Sequence, residues 1–212
     1  TFNVLYSIIN LSNNIKRIIM IIRKQFKFEG AHIVRGCSST RCKYSIHGHS
    51  YIVEVFFTGT GLDNGQMIVD FGLMKGTIGD FVDSFDHAYS MWTRESDEFK
   101  EFIYNNSDRY IDMPVSPSAE AYALMMFKVI DTIVNNTEYN NGEQNPEIYA
   151  VRVHETATGY AEARREDLEW IDWSLEDIHF SEAITDEWGD PDMWNKIING
   201  VKFTNPKVDQ QA

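Results

Sequence analysis

Three histidines near the start of the sequence are spaced as ligands of one metal ion. His47 and His49 lie two residues apart in a segment rich in Tyr, Val, Ile and Phe, and residues two apart on a β-strand share a face. His32 ends the preceding predicted strand and would lie beside them if the two strands pair. Three imidazoles leave one position of a tetrahedral zinc ion (Zn2+) open, which is typical of catalytic zinc sites. Taken alone, His47 and His49 are weak evidence, because exposed histidines also occur two residues apart by chance.

Two cysteines in the polar segment between these histidines are candidates for a reactive thiol. Cys42 lies five residues before His47, in a predicted loop over residues 36–45. A thiolate near a cation can act as a base or a nucleophile. Cys37 is the rival candidate, since it is nearer to His32 in the sequence and further from His47. A structural role for Cys42 is the alternative, although a segment rich in Ser, Thr, Arg and Lys is not typical of a hydrophobic core.

Asp86 and His87 form a second group with acid–base chemistry. They are predicted to follow the end of a helix, and an aspartate beside a histidine can orient and polarise its imidazole. As an isolated dipeptide, however, the pair is better explained as an ordinary helix end. A catalytic role therefore depends on what the rest of the chain brings near it.

Two glutamates are candidates for holding a substrate. Glu155 alternates along a predicted strand with Tyr149, Val151 and Val153, so its carboxylate shares a face with large apolar side chains. A carboxylate in such surroundings must be paired or bind a ligand, and a guanidine-like edge with two N–H donors would satisfy it. Glu120 opens a predicted helix, where its alternative role is that of a capping-box glutamate with Ser118 or Pro117 nearby, since carboxylates favour helix N-termini.

The elements that must position these residues follow from the periodicity of apolar side chains. Strands are predicted over residues 22–32, 47–59, 67–70, 148–155 and 160–164. Helices are predicted, the first of them capped by Asp70, over residues 71–85, 98–104 and 118–135. Residues 86–92 are predicted to form a loop. This order indicates an α+β fold, in which an antiparallel sheet carries its helices on one face.

The two ends of the chain differ in character from the central part, residues 20–165. Residues 1–19 precede Met20 and the first clear strand, so we expect an upstream extension without a role in the fold; an amphipathic helix is the alternative. Residues 166–212 are acidic and contain four of the five tryptophans, which is too aromatic for a disordered tail. We expect this C-terminal extension to pack on the domain or on a neighbouring subunit.

Composition argues against some classes of protein. The net charge of -13 argues against a nucleic-acid-binding surface, which needs clustered Lys and Arg. No stretch reaches the about 20 consecutive apolar residues of a membrane-spanning helix. The two cysteines are too few and too close together for a disulfide scaffold, which favours a reducing, cytoplasmic location.

Six short segments stand out between about Phe26 and Arg164. They are FEGAH ending at His32, CKYSIHGH at 42–49, VDF at 69–71, FDH at 85–87, PSAE at 117–120 and VHET at 153–156. In this order and spacing they resemble one family, that of 6-pyruvoyltetrahydropterin synthase and 6-carboxytetrahydropterin synthase. The resemblance implies the tunnelling fold, in which a four-stranded antiparallel sheet carries two helices on one face in the order ββααββ.

The resemblance assigns the metal centre and the thiol. It implies that His32, His47 and His49 bind a catalytic zinc ion and that Cys42 is the catalytic cysteine. The implied substrate is 7,8-dihydroneopterin triphosphate, whose side-chain hydroxyls the zinc would bind and acidify as a Lewis acid.

The resemblance also assigns the acid–base and substrate groups. It implies that Asp86 and His87 relay protons with the cysteine, that Glu155 anchors the pterin ring and that Glu120 lies near the substrate. The implied assembly is a homohexamer with active sites at subunit interfaces.

Several activities are compatible with this site. We expect the 6-carboxytetrahydropterin synthase, which releases triphosphate and acetaldehyde and supplies 7-deazaguanine (queuosine) synthesis, because the loop from Cys42 to His49 is short. The 6-pyruvoyl branch shares the site but gives a different side chain. A non-catalytic pterin-binding or metal-storage protein and an interaction module built on the extension are further alternatives. The chain departs from the family at Ser118–Ala119, where a Thr-containing pair is usual, at Cys37 and in the extension.

Overall fold

The computed structural model describes residues 20–205, so the predicted extension over residues 1–19 lies outside the described part. Strands and helices form a mixed α+β fold. The strands are β1 (Ile21–His32), β2 (His47–Thr58), β3 (Ala88–Trp92), β4 (Tyr110–Met113), β5 (Thr137–Tyr139), β6 (Glu147–Thr156), β7 (Gly159–Ala163), β8 (His179–Phe180) and β9 (Phe203–Asn205). The helices are α1 (Thr40–Tyr44), α2 (Gly72–Lys75), α3 (Thr77–Asp83), α4 (Asp97–Asn106), α5 (Ala119–Asn135), α6 (Glu182–Thr185) and α7 (Met193–Ile198).

Strands β1 and β2 are antiparallel partners along their full lengths. Their register runs from Ile21 opposite Thr58 to His32 opposite His47, so the predicted pairing of the two strands is confirmed. Alternate residues of β2 enter the core, where Val53 is fully buried. Because successive side chains of a strand point to opposite faces, this pattern fixes which face the histidines share.

Helix α5 is the central helix of the core. The Ser118 hydroxyl caps its first turn by accepting a hydrogen bond from the Ala121 N–H at 3.2 Å, so the predicted helix over residues 118–135 is confirmed. The helix packs on β6 and β7, with Tyr122 and Met126 fully buried. Neither α5 nor any other helix within residues 20–205 has the length and apolarity to cross a membrane.

The sheet is larger than the predicted four strands. It has seven, in the order β7-β6-β2-β1-β3-β4-β8, and the first four pair with one another in antiparallel orientation as predicted. Strands β3 and β4 extend it in parallel orientation, so the predicted loop over residues 86–92 is wrong. Four of the five residues of β3 are buried, so this strand lacks the alternation of a half-buried one.

The helices are also not confined to one face. Helix α4 packs its Ile103 against Ile33, Tyr89 and Met91, in a cluster separate from the main core. Ala88, the strand neighbour of Tyr89, belongs to the main core instead. Since neighbouring residues of a strand point to opposite faces, α4 covers the face of the sheet opposite to α5.

Two predicted elements between β2 and β3 are wrong in detail. Residues 67–70 do not form a strand. Just before them, the Asp63 carboxylate accepts the N–H groups of Gly65 and Met67 at 2.8 Å and closes a turn. The predicted helix over residues 71–85 is divided at Gly76 into α2 and α3. Asp70 does not occupy the N-cap position, which is Phe71, although its carboxylate accepts the Gly72 N–H at 2.6 Å.

The C-terminal part of the described chain packs on the main core. Strand β8 pairs with β4, and β9 pairs with β5. Trp188 is buried, Trp173 and Trp194 pack partly buried against the core, and Trp170 is 72% exposed. The same core therefore runs through both parts of the chain, and the domain boundary at residue 165 stays a prediction.

Candidate metal centre and active site

The three predicted histidine ligands converge at one end of the β1–β2 pair. His32 is the last residue of β1 and lies opposite His47, the first residue of β2. Each of the three, His49 included, offers a ring nitrogen, and these nitrogens all lie within 4.8 Å of one another. His32 is fully buried and the other two are half-buried. The register of two strands thus builds a compact, nitrogen-only donor set.

Hydrogen bonds orient two of the rings. His32 Nδ1 lies 2.6 Å from the Pro117 carbonyl oxygen, and His47 Nδ1 lies 2.9 Å from the Ser45 carbonyl oxygen. Because a carbonyl oxygen only accepts, Nδ1 carries the proton in each ring and Nε2 keeps its lone pair. A hydrogen bond from the second ring nitrogen, which fixes the tautomer, is usual for a metal-binding histidine.

The protonation state of His32 also suits a metal-binding residue. Burial is the main cause that lowers its pKa to about 4, opposed by the Pro117 hydrogen bond and assisted by the neighbouring His47 and His49. The ring is therefore neutral at pH 7, which is the form that binds metal ions. The residues fit zinc, since three neutral imidazoles within reach of one ion are a typical zinc donor set.

Glu155 lies beside the three histidines. Its Oε1 atom is 3.7 Å from His32 Nε2 and 3.8 Å from His49 Nε2. Val153 precedes it on the buried face of β6, as the alternation predicts. Tyr149 lies outside this pattern, because the register of β2 and β6 shifts at that point and Ile148 enters the core instead.

Two buried tyrosines adjoin the centre and were missed by sequence reasoning. The Tyr51 hydroxyl lies 3.3 Å from both ring nitrogens of His32, and the Tyr122 ring stacks on the His32 ring. Burial is the main cause that raises the pKa of both hydroxyls, so both are neutral at pH 7. Tyr51 follows His49 by two residues on the same strand, so the two-residue period of strands could have predicted that it shares the face of the histidines. Tyr122 comes from α5 and carries no such signal.

Asp86 and His87, together termed the Asp–His corner, connect α3 to β3. The Asp86 carboxylate accepts the Glu29 N–H at 2.7 Å and the His87 Nδ1–H at 2.8 Å. Burial alone would raise the pKa of Asp86, but these two hydrogen bonds and the nearby Arg109 lower it. His87 has a left-handed backbone with φ 54°, and its side chain is 75% exposed. The carboxylate orients the ring and leaves Nε2 open to the solvent.

A cleft of about 590 Å³ lies beside His49 and His87. Its lining includes Tyr89 and Ile103, so it lies on the face of the sheet that α4 covers. His32 adjoins Tyr51 and Tyr122 on the face that α5 covers, and it does not line this cleft. Of the predicted site residues, His49 and His87 therefore line the cleft.

The remaining predicted residues lie elsewhere within the described chain. Cys42 is half-buried in α1, where a flexible loop was predicted, and it does not line the cleft. The Cys37 thiol donates to the Ser39 carbonyl at 3.2 Å. Glu120 is exposed in the first turn of α5, and its alternative role in a capping box is wrong, because the third residue of the helix is Ala121.

Comparison with known proteins identifies the family. Residues 21–166 match the family model described as 6-pyruvoyl tetrahydropterin synthase. The chain belongs to this family. A 6-carboxy-5,6,7,8-tetrahydropterin synthase of Helicobacter pylori is 44% identical over 187 residues, which cover 86% of this chain and 94% of that protein. A protein of the same name from Aquifex aeolicus is 26% identical over 68% of this chain and 98% of its own length.

One solved structure shares the fold of this chain. A crystal structure of an uncharacterized protein from Wolinella succinogenes superposes with a TM-score of 0.57, over 69% of this chain and 98% of that one. At 16% sequence identity, this likeness shows the fold alone. The 6-pyruvoyl tetrahydropterin synthase family match and this fold agree with the mixed α+β architecture of the chain.

Proposed function

We propose that this protein is a zinc-dependent 6-carboxy-5,6,7,8-tetrahydropterin synthase. It would convert 7,8-dihydroneopterin triphosphate and water into 6-carboxy-5,6,7,8-tetrahydropterin, acetaldehyde and triphosphate, as a step toward 7-deazaguanines such as queuosine. The observation that carries the proposal is the convergence of His32, His47 and His49 beside Glu155 in a chain of this family. The relatives that carry the 6-carboxy name, and that match along most of the chain, favour this branch.

In this proposal the three histidines hold the metal ion. Zinc, when bound, supplies Lewis-acid chemistry toward the oxygen atoms of a ligand. His32 contributes a buried ligand fixed by Pro117, and His47 a ligand fixed by Ser45. Tyr51 and Tyr122 surround His32 with neutral, buried side chains, which keeps water away from that side of the centre.

Glu155 would anchor the pterin ring. Its carboxylate is 33% exposed and lies less than 4 Å from two of the histidines, so it faces the same space as a bound substrate. A carboxylate can accept two parallel N–H groups from the guanidine-like edge of a pterin. Such a bidentate contact would set the distance between the ring and the metal centre.

Proton transfer would fall to His87, Asp86 and Cys42. The Asp86 carboxylate holds the His87 ring by Nδ1, and the exposed Nε2 can take up or release a proton. Cys42 would be the second proton-transferring group, and Glu120 would lie near the substrate. We propose in addition, as the family resemblance implies, a homohexamer with active sites at subunit interfaces and a cytoplasmic location.

Product analysis tests the proposed reaction. The zinc-loaded protein should convert 7,8-dihydroneopterin triphosphate into 6-carboxy-5,6,7,8-tetrahydropterin, detected by mass spectrometry, and release acetaldehyde. A 6-pyruvoyl product without acetaldehyde would assign the protein to the other branch, the 6-pyruvoyl tetrahydropterin synthases after which the family is named. Tight binding of the substrate without any turnover would identify a non-catalytic pterin-binding protein. Native mass spectrometry of the full chain would test the hexamer separately.

A further inference from the structure

Consecutive residues of the C-terminal extension contact the segment that leads into the Asp–His corner. Trp188 is buried, and its indole N–H donates to the Ser84 hydroxyl at 2.8 Å. The Gly189 N–H donates to the Asp80 carboxylate at 3.1 Å. Asp80 lies in α3 and Ser84 ends that helix, so the extension is anchored immediately before the corner.

Arg109 connects the extension to the Asp–His corner itself. Its Nε–H donates to the Asp86 carbonyl at 2.8 Å, and an Nη2–H donates to the Asp83 carbonyl at 3.2 Å. Its Nη1 is paired with the carboxylate of Glu187, the residue before Trp188. The guanidinium is planar and its donors have a fixed geometry, so these three partners define one orientation of the side chain.

The corner combines a backbone that its surroundings must impose with a ring that is not packed. A left-handed backbone at a residue other than glycine persists only where its surroundings impose it, and His87 has this backbone. The His87 ring is largely exposed, so packing does not fix it. Glu29 holds the corner on one side, by accepting the His87 N–H at 2.6 Å and donating to Asp86. Arg109 holds the opposite side through the Asp86 carbonyl.

We propose that Arg109 and Glu187 are positioning residues, through which the C-terminal extension fixes the Asp–His corner for proton transfer. Arg109 holds the backbone of Asp86, and Glu187 holds the guanidinium of Arg109 in the orientation that reaches it. This inference rests on the proposed function, in which His87 transfers protons. It makes the extension a support of the active site rather than a separate interaction module.

The first test compares Glu187→Gln with Asp190→Asn in the full-length, zinc-loaded protein. Asp190 is the matched control, because its carboxylate pairs with Lys196 inside the extension. Glu187 is 62% exposed, so its replacement should change the melting temperature no more than the control does. Hydrogen–deuterium exchange should become faster in residues 83–89 of Glu187→Gln only. The kcat for 7,8-dihydroneopterin triphosphate should fall about threefold to tenfold, with KM and zinc content unchanged.

A second variant separates positioning from general damage. Arg109→Lys keeps the positive charge but cannot donate to three partners in one plane, so it should lower kcat at least as much as Glu187→Gln. If Glu187 acts through Arg109, adding Glu187→Gln to Arg109→Lys should cause little further loss.

Each part of the inference has its own contrary result. Unchanged exchange in residues 83–89 of both Glu187→Gln and Arg109→Lys would overturn the structural support. Faster exchange with an undiminished kcat would overturn the positioning role. An unsubstituted protein that does not turn over the substrate would overturn the proposed function and the catalytic part of the inference with it, whatever the exchange shows.

Discussion

The metal centre and the Asp–His corner are built in opposite ways. His32 is fully buried at the end of a long strand pair, and its ring is hydrogen-bonded to Pro117 and flanked by Tyr51. His87 is 75% exposed on a left-handed backbone, and within residues 20–205 its ring has one hydrogen-bond partner, Asp86. One site gains its geometry from the sheet, and the other from a few hydrogen bonds at the surface.

This difference matches what each site would have to do. The ligands of a metal ion bind it best when their positions are fixed before the metal arrives, and paired strands provide that rigidity. A proton-transferring imidazole must reach a substrate that arrives from solution, so it has to be exposed. Its orientation then depends on neighbouring groups, here Glu29, Asp86 and Arg109.

Removal of a buried ligand should have the largest effect. His32→Ala should weaken zinc binding by more than about 100-fold, since loss of contacts that merely orient a ligand already costs 10–100-fold, and should abolish turnover. It also leaves the buried Pro117 carbonyl without its partner, at a cost of about 1–3 kcal/mol in the free energy of unfolding. His154→Ala is the control, because His154 pairs with Glu54 outside the centre. Elemental analysis showing normal zinc in His32→Ala would contradict the ligand assignment.

Substitution of the two cysteines should distinguish a role in catalysis from a role in metal binding. Cys42→Ala should reduce turnover to background while the protein keeps its zinc, because Cys42 transfers protons in the proposed mechanism and does not bind the metal. Cys37→Ala should remain active, since the Cys37 thiol contacts only the nearby Ser39 carbonyl among the hydrogen bonds described. Turnover and zinc content measured on both variants decide the assignment, and an inactive Cys37→Ala beside an active Cys42→Ala would reverse it.

Substitution at the exposed corner should reduce turnover and leave the metal centre intact. His87→Gln should lower kcat by about 100-fold to 10,000-fold, the usual contribution of a general acid or base. Zinc content and melting temperature should stay near those of the unsubstituted protein, because the ring is largely exposed. Loss of zinc from His87→Gln would show that the two regions are not independent, contrary to the comparison drawn above.

Acid should destabilise the metal-free protein through the buried site. The His32 pKa is about 4 in the folded chain, against 6.5 as the ordinary value, so the unfolded chain binds a proton that the folded chain does not between these values. The free energy of unfolding should therefore be highest above pH 6.5 and fall by about 3 kcal/mol as the pH drops toward 4. His32→Gln should lack this component. Chemical denaturation at several pH values measures it, and parallel profiles for the two proteins would contradict it.

Regular alternation made part of this structure predictable. The strand pair β1–β2, the shared face of His47 and His49 and the placement of Glu155 all follow from the two-residue period of strands. Strand β3 was missed because its sequence, buried almost throughout, shows no alternation. The strand predicted over residues 67–70 was wrong, and the N–H of its first residue, Met67, is instead bound by the Asp63 carboxylate.

Contacts between distant parts of the chain left no local signal. Strand β8 has only two residues, too few for any period, yet it completes the seven-stranded sheet. Arg109 and Glu187 are 78 residues apart, and only the folded chain brings them together behind the Asp–His corner. Tyr122 reaches His32 from another element in the same way. The three histidines that converge could be predicted from the sequence, whereas the groups that surround them could not.

The central claim is that the three histidines serve pterin chemistry through a bound metal ion. The most direct measurement is acetaldehyde release from 7,8-dihydroneopterin triphosphate by the zinc-loaded protein, the chelator-stripped protein and the stripped protein after zinc is restored. We expect acetaldehyde to be released together with 6-carboxy-5,6,7,8-tetrahydropterin in the first and third samples, and no acetaldehyde in the second. Equal release with and without the metal, or no pterin product in any sample, would contradict the claim.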